Sequence, residues 1–240
     1  MSPFLSDQGQ PIGFPIPDWE PSRPPAREVM KGQYCRLEPL NLDKHSRELY
    51  SAISSDQDGA SWTYLAYGPF ESFEDYHHWL SGCLKSDPLF FAIRPICVGR
   101  VLGLASYVNI DLLNGCIEVG HLYFSERFKR TPAATEAMYL MMRHAFDLGF
   151  RRYSWKCDSL NAASRAAAER LGLSYEGVFR NAKVYNGRNR DTAWFAAIDS
   201  EWPALRKAFE TWLNPSNFDE AGNQRKRLSD LTAPILKERG

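Results

Sequence analysis

Short runs in which apolar and polar positions alternate are interleaved along this chain with runs in which apolar residues recur every three or four positions. The order of the two kinds predicts the elements. YCRLEPL (34–40) alternates as an edge strand does. Positions 41–54 follow with helical spacing, with Asn41 or Asp43 at the cap position, and 74–85 predicts a second short helix. LFFAIRP, VLGLASYVNI and CIEVGHLYF are three strand-like runs separated by short turns, the pattern of an antiparallel meander. A long helix comes next, on which Met138, Met141, Met142, Ala145, Phe146 and Leu148 share the face that would lie against a sheet, and Gly149 ends it. RRYSWKC predicts another strand and NAASRAAAERLGL a short helix closed by Gly172. YEGVFRNAKVYNGRNRDTAWFAAID predicts a hairpin turning at Asn186 and Gly187.

Outside this run the pattern is different. Pro3, Pro11, Pro15, Pro17, Pro21, Pro24 and Pro25 surround Phe14 and Trp19, which excludes a helix or an inner strand and predicts an extended arm whose aromatics dock on the domain. The expected organisation is an arm over 1–30, a domain over 31–213 and a tail over 214–240. Between the first two predicted helices, SWTYLAYGPFES concentrates Trp62, Tyr64, Tyr67 and Phe70. Such a cluster either lines a pocket or closes a core, and the sequence supports both readings equally.

Composition narrows the function. With 240 residues, 44% hydrophobic and 13% aromatic, the chain can fill a core, and wholesale disorder is excluded. Twenty-nine Lys and Arg balance twenty-nine Asp and Glu, so no global field gathers nucleic acid or an anionic membrane, and any anion site must be local. MSPFLSDQGQ lacks the flank and apolar run of a secretory signal, and no stretch is apolar long enough to span a bilayer, so a soluble, cytoplasmic protein is expected. Cys35, Cys83, Cys97, Cys116 and Cys157 form no pair of metal-ligand spacing and leave one over if disulfides are assumed. They read as small buried hydrophobes, and no metal site is expected.

The start of the long helix is the first candidate for chemistry. In KRTPAATEA, Thr131 is placed to cap the helix and Pro132 to occupy its first position, where a missing N–H costs nothing. The amides of Ala133, Ala134 and Thr135 would then face outward with the positive end of the helix dipole behind them, and Lys129 and Arg130 would add charge. A pyrophosphate suits such a site. Alone, the segment also reads as an ordinary helix start; its neighbours shift the balance. IEVG precedes it on a strand, and N161-A-A-S164 and L171-G172 follow on the next strand and helix.

That order of motifs resembles the GNAT superfamily of acyl-CoA-dependent N-acyltransferases, in its ribosomal-protein N-terminal acetyltransferase (RimJ/RimL-like) branch, over about 34–199. The resemblance implies the GNAT fold, an α/β (α+β) architecture with a mixed, mostly antiparallel central sheet flanked by helices on both faces. It implies acetyl-CoA as co-substrate, with the coenzyme A pyrophosphate on the amides of a Q/R-x-x-G-x-G/A segment. Here Lys129, Arg130, Thr131, Pro132, Ala133 and Ala134 match that segment, with Thr135 next. Lys129 stands where glutamine or arginine is usual, and Pro132 replaces the first glycine and removes one donor. Asn161 matches the asparagine placed near the pantetheine arm.

Acyl transfer to an amine needs a base, a stabilised oxyanion and a proton for the departing thiolate. Alternation in IEVGHLYF puts Glu118 and Gly120 on one face and Val119 and His121 on the other unless a bulge intervenes, and family members often carry one here. Glu118 is the first candidate for the base, with a structural carboxylate–arginine pair as the alternative. His121 is the second, because an imidazole titrates in the useful range. The tyrosine acid that many relatives place seven residues after the asparagine is Ala168 here. That leaves Ser164, the proton donor proposed for RimL-like relatives. Cys157 lacks a partner pattern for covalent catalysis. Arg188, Arg190 and Asp191 read as an exposed ladder of paired charges, or as a grip on the acceptor's carboxylate.

The expectation is an N-acetyltransferase acting directly, in a ternary complex, on a primary amine, either a small molecule or a peptide N-terminus. The Trp62, Tyr64, Tyr67 and Phe70 segment inclines it toward a small or aromatic amine. Neither nucleic acid nor membrane is expected as partner, and nothing in the sequence fixes the oligomeric state, a homodimer included. Two other classes remain: a non-catalytic acyl-CoA-binding module, and an interaction protein using its arm and tail.

Overall fold

The computed structural model describes residues 4–56, 59–85 and 88–240. In chain order its strands and helices are β1 (Phe4–Leu5), β2 (Pro11–Ile12), β3 (Met30–Lys31), β4 (Cys35–Pro39), α1 (Leu42–Ile53), α2 (Phe73–Cys83), β5 (Leu89–Pro95), β6 (Gly103–Asp111), β7 (Cys116–Phe124), α3 (Pro132–Asp147), β8 (Arg152–Asp158), α4 (Ala162–Arg170), β9 (Ser174–Tyr185), β10 (Arg188–Ile198), α5 (Trp202–Leu213) and α6 (Leu228–Thr232). β1 pairs only with β2, and the rest form one sheet in the order β3-β4-β5-β6-β7-β8-β10-β9. Every neighbouring pair in that sheet is antiparallel except β7 with β8. The helix α3 makes the crossover that a parallel pair requires.

Helices cover both faces, so the inner strands are apolar on both sides. In β5, Phe91 and Ile93 face the core beneath α3 and α5, where Met138, Met141 and Phe209 pack. Phe90 and Ala92 face the second core, closed by Leu49 and Ile53 of α1 and by Tyr76 and Leu80 of α2. The helices start where their caps put them: Asn41 Oδ1 accepts from Lys44 N, Ser72 Oγ from Asp75 N, Thr131 Oγ1 from Ala134 N and Asn161 Oδ1 from Ser164 N. Replacing Thr131 with Ala should therefore cost about 1 kcal/mol, read as a lower denaturant midpoint at unchanged slope. At the β9–β10 turn both Asn186 (φ 49°) and Gly187 (φ 68°) are left-handed, the conformation that the Asn-Gly pair adopts at least cost.

Three expectations are corrected. β4 is not the edge, because the two-residue β3 pairs outside it. The cysteines, none of them in a disulfide, are not uniformly buried: Cys35 and Cys157 are, Cys83 and Cys116 are half-buried and Cys97 is exposed. In the arm, Trp19 docks through Nε1 to Leu113 O at 3.0 Å, whereas Phe14 is 66% exposed; Pro3 lies outside the described residues. The tail packs on the sheet's far end, with Leu228 and Thr232 fully buried and Thr232 Oγ1 donating to Arg170 O. Among the described residues, no helix is long and apolar enough to cross a membrane.

Candidate active site

The parallel ladder between β7 and β8 ends at Val119 and Trp155, although β7 runs on to Phe124 and β8 to Asp158. Where pairing stops, a cavity of about 900 Å³ opens, lined among others by Gly120, His121 and Leu122 from β7, Lys156, Cys157 and Asp158 from β8, and Asn161 and Ser164 from α4. On its other side β7 loses register with β6: Leu104 faces Tyr123 but Ser106 faces Gly120, so one extra residue of β7 is accommodated there. His121 carries the left-handed φ of 49° that this bulge requires. Strict alternation, which separates His121 from Glu118, is thereby overturned. Both line the same cavity.

Glu118 is 4% exposed, and its Oε2 accepts from Asn109 Nδ2 at 2.8 Å and pairs with Lys156 Nζ at 2.9 Å. Its ionic partner is thus a lysine rather than an arginine, and Oε1 has no hydrogen-bond partner among the described residues. Asn109 reaches it from a second bulge, in β6, with φ 49°. His121 Nδ1 lies 3.0 Å from the Tyr67 hydroxyl, with the two rings stacked. Burial pushes the imidazole below its ordinary 6.5, and the nearby charge of Lys183 pushes the same way. Burial pushes the Tyr67 phenol up.

Ser164 Oγ accepts from Trp155 Nε1 at 3.0 Å, and the serine also hydrogen-bonds the Cys157 side chain. Asn161 caps α4 and lines the cavity beside it. Burial raises the Cys157 thiol above its ordinary value, against a smaller opposing effect of Ser164, so this cysteine lacks the thiolate character of a nucleophile. Ala168 is fully buried, far from the role of an acid.

The start of α3 differs from expectation in which amides it offers. Thr131 is the cap and Pro132 opens the helix as expected. Ala134 N, however, donates to Thr131 Oγ1 and Thr135 N to Thr131 O, while Thr135 Oγ1 accepts from Arg170 Nη2. Among the described residues the amides without partners are those of Arg130, Thr131 and Ala133, and Arg130 adopts φ 62°, which turns the backbone into the kind of concave amide cluster that holds anions. Lys129 Nζ bonds Glu126 and, at 2.9 Å, Ser61 Oγ, which lines the cavity. The neighbouring Glu136 serves the fold instead, because its buried carboxylate accepts the amides of Gln33, Tyr34 and Cys35 at 2.6–2.7 Å and so ties α3 to the start of β4.

The aromatic segment splits. Tyr64 and Tyr67 line the cavity, and Tyr64 donates to Leu160 O. Trp62 is 5% exposed and stacks on Tyr123 at 5.0 Å, with Phe70 against its edge at 5.4 Å and Tyr76 and Trp79 beyond. Trp62 and Phe70 belong to the second core, because a bulky side chain flanked by α1, α2 and β7 has nowhere else to go. Among the described residues the expected ladder of paired charges on the hairpin is also absent: Arg190 lines the cavity, Arg188 is exposed, and Asp191 accepts from Asn181 N and Asn189 Nδ2. Lys156 and Asn109 escape sequence reasoning. No group of three or more His, Cys, Asp or Glu able to hold a metal ion occurs among the described residues.

Known proteins share this fold. The family described as Acetyltransferase (GNAT) domain matches residues 35–174. A GCN5-related N-acetyltransferase from Brucella melitensis is 46% identical and superposes with a TM-score of 0.89, over 91% of this chain and 100% of that one. A GNAT-family structure from Chromobacterium violaceum is 36% identical, with a TM-score of 0.76 over 85% of this chain and 100% of that one. YdaF of Bacillus subtilis, whose name carries ribosomal N-acetyltransferase as a provisional assignment, is 29% identical over 105 residues, 43% of this chain. That alignment spans only 57% of YdaF. A domain match over more than half the sequence, on a sheet that opens between its two parallel strands, makes this chain a member of the GNAT acetyltransferase family, with relatives in its RimJ/RimL-like branch.

Proposed function

We propose that this protein moves an acetyl group from acetyl-CoA to a primary amine by direct attack in a ternary complex. The observation that carries this reading is the opening between β7 and β8, with His121 and Glu118 together on its wall. The amides of Arg130, Thr131 and Ala133 would hold the pyrophosphate, which fits a segment with three free donors despite Pro132. Asn161 would hold the pantetheine arm, and the bulge in β7 would offer a backbone amide to the thioester carbonyl, as the family resemblance implies.

His121 takes the proton of the acceptor's ammonium, since burial favours its neutral imidazole, the form that acts as a base. Its Nδ1–H donates to the Tyr67 oxygen, leaving Nε2 to accept. Lys156 and Asn109 already engage the Oε2 of Glu118. Its open Oε1 instead orients the ammonium. The amine nitrogen then bonds to the acyl carbon, the C–S bond breaks, Ser164 supplies a proton to the departing sulfur, and the proton that the nitrogen sheds on becoming an amide restores the serine hydroxyl. Similarity to YdaF favours a peptide N-terminus as acceptor, and moving Trp62 and Phe70 into the core removes half the basis for an aromatic amine.

Acetyl-CoA mixed with a panel of peptide N-termini and small amines tests the reading. Thiol release that requires the amine and matches acetylated product by mass is expected. Coenzyme binding without amine-dependent release would leave a non-catalytic acyl-CoA-binding module.

A further inference from the structure

Across the β9–β10 ladder Lys183 stands directly opposite Arg190. Two cations in such positions weaken a sheet unless something anionic lies between them. Both line the cavity, and neither has a carboxylate within ion-pairing distance among the described residues. The Nε of Arg190 is buried with no hydrogen-bond partner among the described residues, and its guanidinium lies over the Tyr185 ring, 5.8 Å from the centroid. Such an atom normally has a partner, so one is missing.

The surrounding charges do not supply it. Lys156 is matched by Glu118. Asp158 accepts from the Tyr185 hydroxyl and from Leu160 N. Asp191, although adjacent to Arg190, accepts from Asn181 N and Asn189 Nδ2. The cavity thus holds the carboxylates of Glu118 on β7 and Asp158 on β8, the His121 base, and on the hairpin two cations that have no ion-pair partner among the described residues.

We infer that the acceptor carries a carboxylate in addition to its amine, and that Lys183 and Arg190 bind it. A guanidinium fork fits a carboxylate with two parallel hydrogen bonds, and Lys183 adds a mobile point charge. The inference rests on the proposed function, in that it treats this cavity as the acceptor's. The carboxylate belongs either to a free amino acid or to an acidic side chain near a peptide N-terminus.

The test measures binding by calorimetry to protein saturated with coenzyme A, and initial rates with acetyl-CoA, using two matched pairs. L-alanine against L-alaninamide represents the free amino acid, and the tetrapeptide amide Ala-Asp-Gly-Gly against Ala-Asn-Gly-Gly the peptide. In one pair the anionic member should bind about 10- to 100-fold more tightly, the range of a hydrogen bond to a charged group. Arg190→Met and Lys183→Met should each reduce that preference and together abolish it, while coenzyme affinity and binding of the neutral member stay unchanged. Lys183 is exposed, so its variant folds and keeps the test decisive even if Arg190→Met does not. Equal binding within both pairs overturns the inference, as does an equal loss for both members or a loss of coenzyme affinity. An anionic preference without acetyl transfer sinks the proposed function and leaves this site standing; transfer without preference does the reverse.

Discussion

Replacing His121 with Gln should lower kcat/KM for acetyl transfer on the order of 100-fold or more, the usual contribution of a positioned general base, with coenzyme affinity unchanged. The pH profile supplies the sharper expectation. A base works only when unprotonated, and the His121 imidazole is held below its ordinary 6.5 by burial first and by Lys183 second. Wild-type activity should persist as pH falls past 6.5 and drop only as the imidazole begins to protonate. In His121→Gln that acid limb disappears, and the remaining rate follows deprotonation of the free amine. Glu118→Gln should behave differently, raising KM for the amine while retaining the acid limb, because the open Oε1 holds the ammonium rather than taking its proton. If Glu118→Gln instead removes the limb and His121→Gln keeps it, the two roles are exchanged.

Trp62→Ala should cost about 3–5 kcal/mol of stability, the range for a large aromatic truncated in a packed interior. Trp62 stacks on Tyr123, meets Phe70 and Tyr67 edge-on, and fills the space above Gly68, where even a Cβ would collide with the indole. The loss should appear as a large fall in melting temperature, while KM for the amine measured well below it stays near wild type. Tyr67→Phe makes the complementary case: the ring that stacks on Trp79 is kept, so stability should hold, while the hydroxyl that fixes His121 is lost and kcat falls. A Trp62→Ala protein with normal melting and a raised KM would return Trp62 to the pocket.

Much of the fold is legible because it is periodic. The meander β5–β7, the helix α3 and the Asn-Gly hairpin each announce themselves through spacing or turn chemistry, whereas α5, with Leu205, Phe209 and Trp212 at helical intervals, is not among the elements expected. The site is less legible because it lies where periodicity breaks. Alternation in IEVGHLYF cannot register an extra residue, so it sets His121 on the wrong side of β7. Four aromatics in one loop cannot declare which face the core, since that depends on α1 and α2 arriving from elsewhere in the chain. The helix start KRTPAA points to the correct cap and the correct proline, but whether an amide is free depends on the conformation of Arg130 and on the Thr131 hydroxyl, neither of which is written in the motif. Lys156 meets Glu118 only because β7 and β8 run parallel.

A crystal structure of the protein with coenzyme A would decide where the chemistry takes place. The pantetheine arm is expected to enter between β7 and β8 beyond Val119 and Trp155, with the pyrophosphate on the amides of Arg130, Thr131 and Ala133 and the sulfur in the cavity shared by His121 and Ser164. A coenzyme seated elsewhere, or a sulfur that does not reach the cavity lined by His121, would contradict the assignment of this opening as the active site.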